Sequence, residues 1–455
     1  MRKQIRLLWV AAFVFVQLSG FVSAQSANNP EHWVATWAAS PQQPRVLAPP
    51  RGAAPAAPPA GLPVVAIQPA TNPQRGPAAP AASAVAPNPQ RGGPPVTSFN
   101  NQTVRMVLRA SIGGRRVRVH LSNAYGTAPL AVGSARIALW SKDSEIVPGS
   151  DRPLRFSGKP SITIPQGASM ISDPVDLNVA KLGDLVISIY TPAEIGTLTT
   201  HATALRTTYI SKAGDLTAQP SIPDATTTTS WYWISGVEVM APSTASAIVA
   251  FGDSITDGST STVNGNRSWP SRLAERLAAE PRTANIAVLN HGIAGNRFFA
   301  DGAGVNALAR FDRDVLSQSG VKWLIVLEAI NDIGQMTGPN APANSSLSAD
   351  EVIGIYRQMI EKAHSQGIAV IGATLTPYEG ATYYSEKGEV IRQAVNQWIR
   401  TSKAFDGVVD FDLATRDPNN PKKFKPGFNN GDNLHPNDEG YKAMAEKKTP
   451  EFEGK

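Results

Sequence analysis

From Ser246 onward, short apolar runs alternate with segments of helical periodicity, and that alternation leaves few folds open. The runs are Ala247–Phe251, Ile286–Asn290, Trp323–Leu327, Ala369–Ala373 and Val408–Phe411. Each is too short for a helix and lacks polar alternation, the pattern of a strand buried on both faces. Between them, Trp269–Ala279, Asn306–Leu316, Ala349–Gln366 and Glu386–Ser402 have helix-like periodicity. Buried strands separated by helices predict a doubly wound α/β fold, a parallel sheet covered on both faces. Such sheets do their chemistry beyond the carboxyl ends of the strands, so a motif that follows a strand carries weight.

Upstream the pattern is different. Strand candidates recur with turn signals between them: Trp33–Trp37, Val104–Ala110, Arg116–Leu121, Ser134–Trp140, Ser161–Ile164, Leu185–Tyr190 and Tyr232–Met240. Gly113-Gly114 between the second and third of these reads as a hairpin turn. No convincing helix interrupts them, so residues 25–245 are expected to form a β-sandwich, jelly-roll-like, ahead of a catalytic domain over 246–455. Gln43 to Pro95 is dominated by Pro, Ala and Gly, and Asn72-Pro73-Gln74-Arg75-Gly76 recurs as Asn88-Pro89-Gln90-Arg91-Gly92. A stretch of this composition buries too little apolar surface to offset its ordering entropy, so about 43–96 is expected to be a disordered insertion in the sandwich.

The first residues read as a signal peptide, 1–24. Arg2, Lys3 and Arg6 precede an apolar run from Leu7 to Val16, and Val22-Ser23-Ala24 offers small residues for cleavage. The run falls short of the ~20 residues a spanning helix needs, so export to the periplasm or beyond is expected, without a stable membrane span. Export permits disulfides, yet the chain has no cysteine. A cysteine nucleophile and a thiolate metal site are therefore excluded. The formal charge of +6, or +3 without Arg2, Lys3 and Arg6, is not a nucleic-acid signature. Arg115-Arg116-Val117-Arg118 alternates with Val119 and Leu121 and reads as the solvated face of a strand.

Four motifs then stand out, each with an ordinary reading beside the chemical one. Gly252-Asp253-Ser254 ends the first apolar run; Ser254 there is a candidate nucleophile or a helix cap. Asn290-His291-Gly292-Ile293-Ala294-Gly295-Asn296 ends the second; its glycines allow close approach to a ligand or make a plain turn. Glu328-Ala329-Ile330-Asn331-Asp332 ends the third; Asn331 is an amide donor or a turn former. Near the end, Asp432 stands three residues before His435. A serine hydroxyl needs a base, histidine suits that task near neutral pH, and one turn brings such a carboxylate to the far ring nitrogen. The other five histidines are expected to be surface or satisfied core residues.

All four motifs in this order resemble the SGNH hydrolase superfamily, the GDSL esterases and lipases, over about Ala247 to Met444. The resemblance implies a flavodoxin-like sheet and ester hydrolysis by a Ser254–His435–Asp432 triad. It implies an oxyanion hole from Ser254, Gly295 and Asn331, with Gly252, Asp253, Asn296 and Asp332 in support. It implies no metal and no other cofactor. The third block usually reads Gly-x-Asn-Asp in this family, and Ala329 departs from it. Trp33–Trp37 and Leu121-Ser122-Asn123-Ala124-Tyr125-Gly126 resemble a bacterial subgroup with a β-rich N-terminal half. The expected substrate is a short-acyl ester, favouring acetyl esters on a polysaccharide. A lipase or arylesterase, an acyltransferase to a sugar, and a non-catalytic carbohydrate-binding or adhesion protein are the competing readings.

Overall fold

The computed structural model describes residues 30–44 and 96–449. The expected signal peptide, 1–24, and nearly all of the expected insertion at about 43–96 lie outside the described residues.

The C-terminal half is a five-stranded sheet in the order 286–292, 246–252, 321–327, 369–373, 407–409. Every neighbouring pair is parallel. The chain starts at the second position, steps to one edge, then crosses back to the other side of its first strand. That reversal is the topological switch point where such sheets bind ligands. Register aligns the motifs: Gly252 pairs with Gly292 on one side and Leu327 on the other, so three motif loops leave the sheet side by side.

The helices begin where capping chemistry directs. Ser268 accepts from Ser271 N and precedes Pro270 at the start of Trp269–Ala279. Ser348 and Glu351 form a reciprocal capping box on Ala349–His364. Trp269, Leu273 and Leu277 line the buried stripe of the first of these helices at four-residue spacing. Asn306–Leu316 divides into an α-helix, Ala307–Phe311, and a π turn, Asp312–Leu316. The last apolar run yields a strand only over Gly407–Val409. Asp410 caps a short helix, Phe411–Thr415, by accepting from Leu413 N.

The N-terminal half has two large antiparallel sheets around a shared core, with two short antiparallel pairs beside them, 130–132 with 162–164 and 200–201 with 231–232. One large sheet holds 31–38, 234–242, 114–122, 169–171 and 175–179; the other holds 226–228, 208–210, 102–109, 184–191, 134–139 and 152–153. Trp33–Trp37 belongs to this sandwich, on the strand paired with 234–242.

The expected hairpin does not form. Strand 102–109 pairs with 184–191 and 208–210, whereas 114–122 pairs with 234–242, 169–171 and 175–179. The link between them crosses from sheet to sheet, held by Ser111 N donating to Thr36 O and Ile112 N to Thr36 Oγ1. Positions 103–108 are all buried, which suits a central strand covered on both faces rather than one arm of a surface hairpin. Arg115 and Arg116 are exposed and Val117, Val119 and Leu121 are buried, as the alternation predicts.

The halves share one continuous core. Ala35 N donates to Ser319 O at 3.0 Å, and Ser111 Oγ to Val288 O at 2.8 Å, so the sandwich is hydrogen-bonded to the α/β domain. Among the described residues, no helix is long and apolar enough to cross a membrane, and no group of three or more His, Asp or Glu side chains could hold a metal.

Candidate active site

Ser254 opens a four-residue helix, Ser254–Asp257, immediately after its strand. The capping role falls to Asp253, whose Oδ1 accepts from Ile255 N at 2.9 Å. The Ser254 N–H, in the first turn, has no intrahelical acceptor. Gly252 is required by proximity rather than by dihedral angle: a Cβ there would stand 2.1 Å from Leu327 O and 2.4 Å from Thr256 Oγ1.

The loop 429–437 returns to this point across the molecule. His435 Nε2 lies 2.8 Å from Ser254 Oγ, and His435 Nδ1 lies 2.6 Å from Asp432 Oδ2. Asp432 Oδ1 accepts from the N–H groups of Leu434 and His435, at 2.9 and 2.8 Å. Burial pushes the Asp432 carboxyl upward, but the His435 hydrogen bond and charge and the two N–H groups outweigh it and hold the group below the usual carboxylate range. Asp410 and Asp412, at the end of the last strand, are engaged elsewhere. Arg400 binds both, and Arg392 and Arg416 bind Asp412.

The glycine block forms the facing wall. Gly295 has φ +85°, in the left-handed region. The peptide groups on either side are fixed: Ala294 N donates to Asp257 Oδ2 at 2.9 Å and Asn296 N to Ile293 O at 3.0 Å. Asn331 places one amide hydrogen on Asn296 O at 3.0 Å, while its Oδ1 accepts from Tyr383 OH at 3.2 Å. The second amide hydrogen remains to serve a ligand. Asp332 accepts from Phe298 N and Phe299 N, at 2.8 and 3.0 Å, which anchors the far end of the glycine loop. Burial raises its pKa to about 6 against those two donors.

Three further residues, none of them singled out by the motifs, support the site. Arg310 is fully buried and joins the ends of two strands, donating to Gly252 O at 2.9 Å, His291 O at 2.7 Å and Asn296 Oδ1 at 2.9 Å. Its signal was legible: with Ala307 and Phe311 it lies on the buried stripe of its helix, where an arginine must be bonded. Tyr383 orients the Asn331 amide from a loop with no motif of its own. Asp257 closes the turn at Ser254 and binds the glycine loop. Beneath the site, Glu328 is fully buried beside Asp253, with Arg310 Nη2 3.9 Å away; burial and the Asp253 charge push its pKa well above the carboxylate range.

A cavity of about 90 Å³ lies between the halves, lined in part by Trp37, Arg109, His201, Arg206, Trp231 and Asp257. Ser254 does not line it, so it lies apart from the serine–histidine pair.

Residues 250–443 match the GDSL-like Lipase/Acylhydrolase family. No curated protein matches the chain. Among solved structures, the chain is similar to a lipolytic protein of the G-D-S-L family from Desulfitobacterium hafniense, at 25% identity and TM-score 0.34 over 44% of this chain and 96% of that one. It is similar to a GDSL-like lipase from Bacteroides thetaiotaomicron, at 20% identity and TM-score 0.32 over 44% and 83%. It is similar also to an acetylxylan esterase from Geobacillus stearothermophilus, at 20% identity and TM-score 0.34 over 44% and 90%. Residues 250–443 thus belong to the GDSL-like lipase/acylhydrolase family, and the chain that carries them is a carboxylic ester hydrolase.

Proposed function

We propose that this chain is an exported serine esterase acting on short-acyl esters, favouring acetyl groups on carbohydrate, with Ser254 as nucleophile. The observation that carries this reading is the unbroken relay from Ser254 Oγ through both ring nitrogens of His435 to Asp432. His435 Nε2 takes the serine proton as Oγ attacks the ester carbonyl. Asp432 holds the tautomer that leaves Nε2 free to accept and stabilises the imidazolium that forms. The oxyanion is received by the N–H groups of Ser254 and Gly295 and by the Asn331 amide, each worth ~3–4 kcal/mol in the transition state. His435 then gives its proton to the leaving alcohol, and water repeats the cycle to release the acid.

A polar alcohol suits the rim. Asn429, Asn430 and Asn433 flank Asp432 in the loop that carries the relay; Asn429 and Asn430 accept from Gly431 N and Asp432 N through Oδ1, so their NH2 groups are the donors on offer. Such amides pair with sugar hydroxyls rather than with alkyl chains. Export rests on the basic–apolar–small pattern of residues 1–24.

The test is Ser254→Ala in the full chain, assayed on p-nitrophenyl esters of increasing acyl length and on acetylated xylan. The variant is expected to lose at least ~10³-fold in kcat at an unchanged melting temperature. Substantial residual activity in a folded variant would remove Ser254 from the role. A wild-type optimum at long acyl chains would replace the carbohydrate reading with lipid hydrolysis.

A further inference from the structure

The β-sandwich reaches into the esterase site through a buried histidine. His201 is 4% exposed and lies against Trp231, ring centroids 5.6 Å apart and 30° between planes. Trp231 is itself tied into the sandwich, with Nε1 donating to Val107 O at 3.0 Å and its ring edge against Trp37. His201 Nδ1 lies 3.0 Å from the main-chain oxygen of Ser40, and Nε2 lies 3.0 Å from Asp257 Oδ1. His201 therefore bridges Ser40 O and the Asp257 carboxyl through its two ring nitrogens, a buried contact between the sandwich and the turn at Ser254.

Asp257 passes this contact on. Its Oδ2 accepts from Ala294 N, one residue before Gly295, and its own N–H closes the nucleophile turn on Asp253 O at 2.9 Å. The neighbouring sandwich segment braces the same loop. Gln42 Nε2 donates to Ala303 O at 2.5 Å, and Ala303 Cβ lies where a side chain on Gly295 would meet it. Ser40 Oγ accepts from Arg310 Nη1 at 3.1 Å and contacts His291 Nδ1 at 3.1 Å.

We propose that His201 is a positioning residue of the esterase: acting through Asp257, it sets the spacing between the Ser254 turn and the Gly295 oxyanion donor. The proposal rests on the reading of Ser254 as nucleophile and of Gly295 and Asn331 as oxyanion donors. Its consequence is that the sandwich is part of the reaction machinery, not only a module beside it. Without His201, Asp257 Oδ1 would lie buried without that partner and the carboxyl would draw away from Ala294 N. That shift moves Gly295 relative to the oxyanion, and displacements near 1 Å cost on the order of 10²-fold in rate.

The experiment measures kcat, KM and melting temperature for full-length His201→Phe, His201→Gln, Asn331→Ala and the His201→Phe/Asn331→Ala double variant on p-nitrophenyl acetate, with Ser254→Ala alongside. His201→Phe is expected to lower kcat at least about tenfold with KM within about twofold. Gln, which still offers Asp257 an N–H, should recover part of that loss. The double variant should lose less than the product of the two single losses, because both act on one oxyanion. A wild-type kcat in His201→Gln and His201→Phe, or losses that simply multiply, would overturn the proposal even where only melting temperature falls. If His201→Phe fails to fold, the His201→Gln/Asn331→Ala cycle reads the same coupling. Activity retained by Ser254→Ala would instead sink the nucleophile assignment, and the proposal with it.

Discussion

The Asp432 carboxylate uses its two oxygens differently, and that division makes its replacement informative. Oδ1 is held by the N–H groups of Leu434 and His435, while Oδ2 receives the His435 ring at Nδ1. In Asp432→Asn, the amide oxygen must stay on the two backbone donors, because an NH2 group there would face N–H against N–H. The NH2 group is then forced against His435 Nδ1. It can bond only to a bare nitrogen, which drives the proton to Nε2, the atom that accepts from Ser254 in the proposed mechanism. Asp432→Asn is therefore expected to lose ~10³-fold or more in kcat/KM at pH 7, close to the loss in His435→Ala. The measurement is steady-state hydrolysis of one soluble acetyl ester by both variants. A loss below about tenfold would show that Asp432 does not set the tautomer. Asp410 and Asp412 offer no replacement, since arginines already hold them.

At the scale of elements, the residue that departs from the family pattern turns out to carry strain. Ala329 precedes the helix Ile330–Thr337 with φ +104° and ψ −16°, beyond the range a Cβ accepts comfortably. A glycine here would serve that dihedral, and with Ala329 the Asn331 amide keeps its bonds while the backbone is strained by ~1–2 kcal/mol. Ala329→Gly should relieve more than it costs in chain entropy and lost methyl burial, raising the melting temperature by about 2 °C in a thermal melt. A fall of several degrees would show that packing of the buried methyl dominates. The strain itself was not legible beforehand, because the sequence marks a substitution without giving the dihedral it must adopt. The parallel sheet and the four motifs were legible, because an apolar run and a loop at its end are both local in the chain. The failed hairpin marks the limit of that legibility. Gly113-Gly114 and the alternation of 116–121 suit either a hairpin or a crossing between sheets. Only the distant partner strands 184–191 and 234–242 decide between them. Tyr383 and His201 escaped for the same reason: each acts on a motif far away in sequence and belongs to none.

At the scale of the whole molecule, the two halves are joined by a buried carboxylate as well as by shared core. Glu238, on the sandwich strand 234–242, is 3% exposed; its Oε1 accepts from Ser319 Oγ at 2.6 Å across the boundary and stands 3.0 Å from His120 Nε2. Its Oε2 accepts from Arg118 Nε, whose guanidinium lies 4.4 Å over the Trp33 ring. Burial alone would raise the Glu238 pKa, but His120, Ser319 and Arg118 together lower it to about 2, from an ordinary 4.5. A carboxylate whose pKa is depressed in the folded state stabilises that state above its unfolded value, and loses the contribution as pH falls through the folded one. Here the window runs from about 4.5 down to about 2. Glu238→Gln is close to isosteric and keeps an acceptor for Ser319, and its NH2 group meets Arg118 Nε–H as the O–H of a protonated carboxyl would, so the variant stands in for the uncharged carboxyl. The variant should be less stable by on the order of 2–3 kcal/mol at pH 7, and the gap should close between pH 5 and pH 2. Urea titrations of both proteins at several pH values would measure it, with acid effects common to both cancelling in the difference. A gap that persists unchanged to pH 2 would mean that shape, not charge, holds the strand against Ser319. A gap absent at pH 7 would mean that the joint between the halves rests on the apolar core alone.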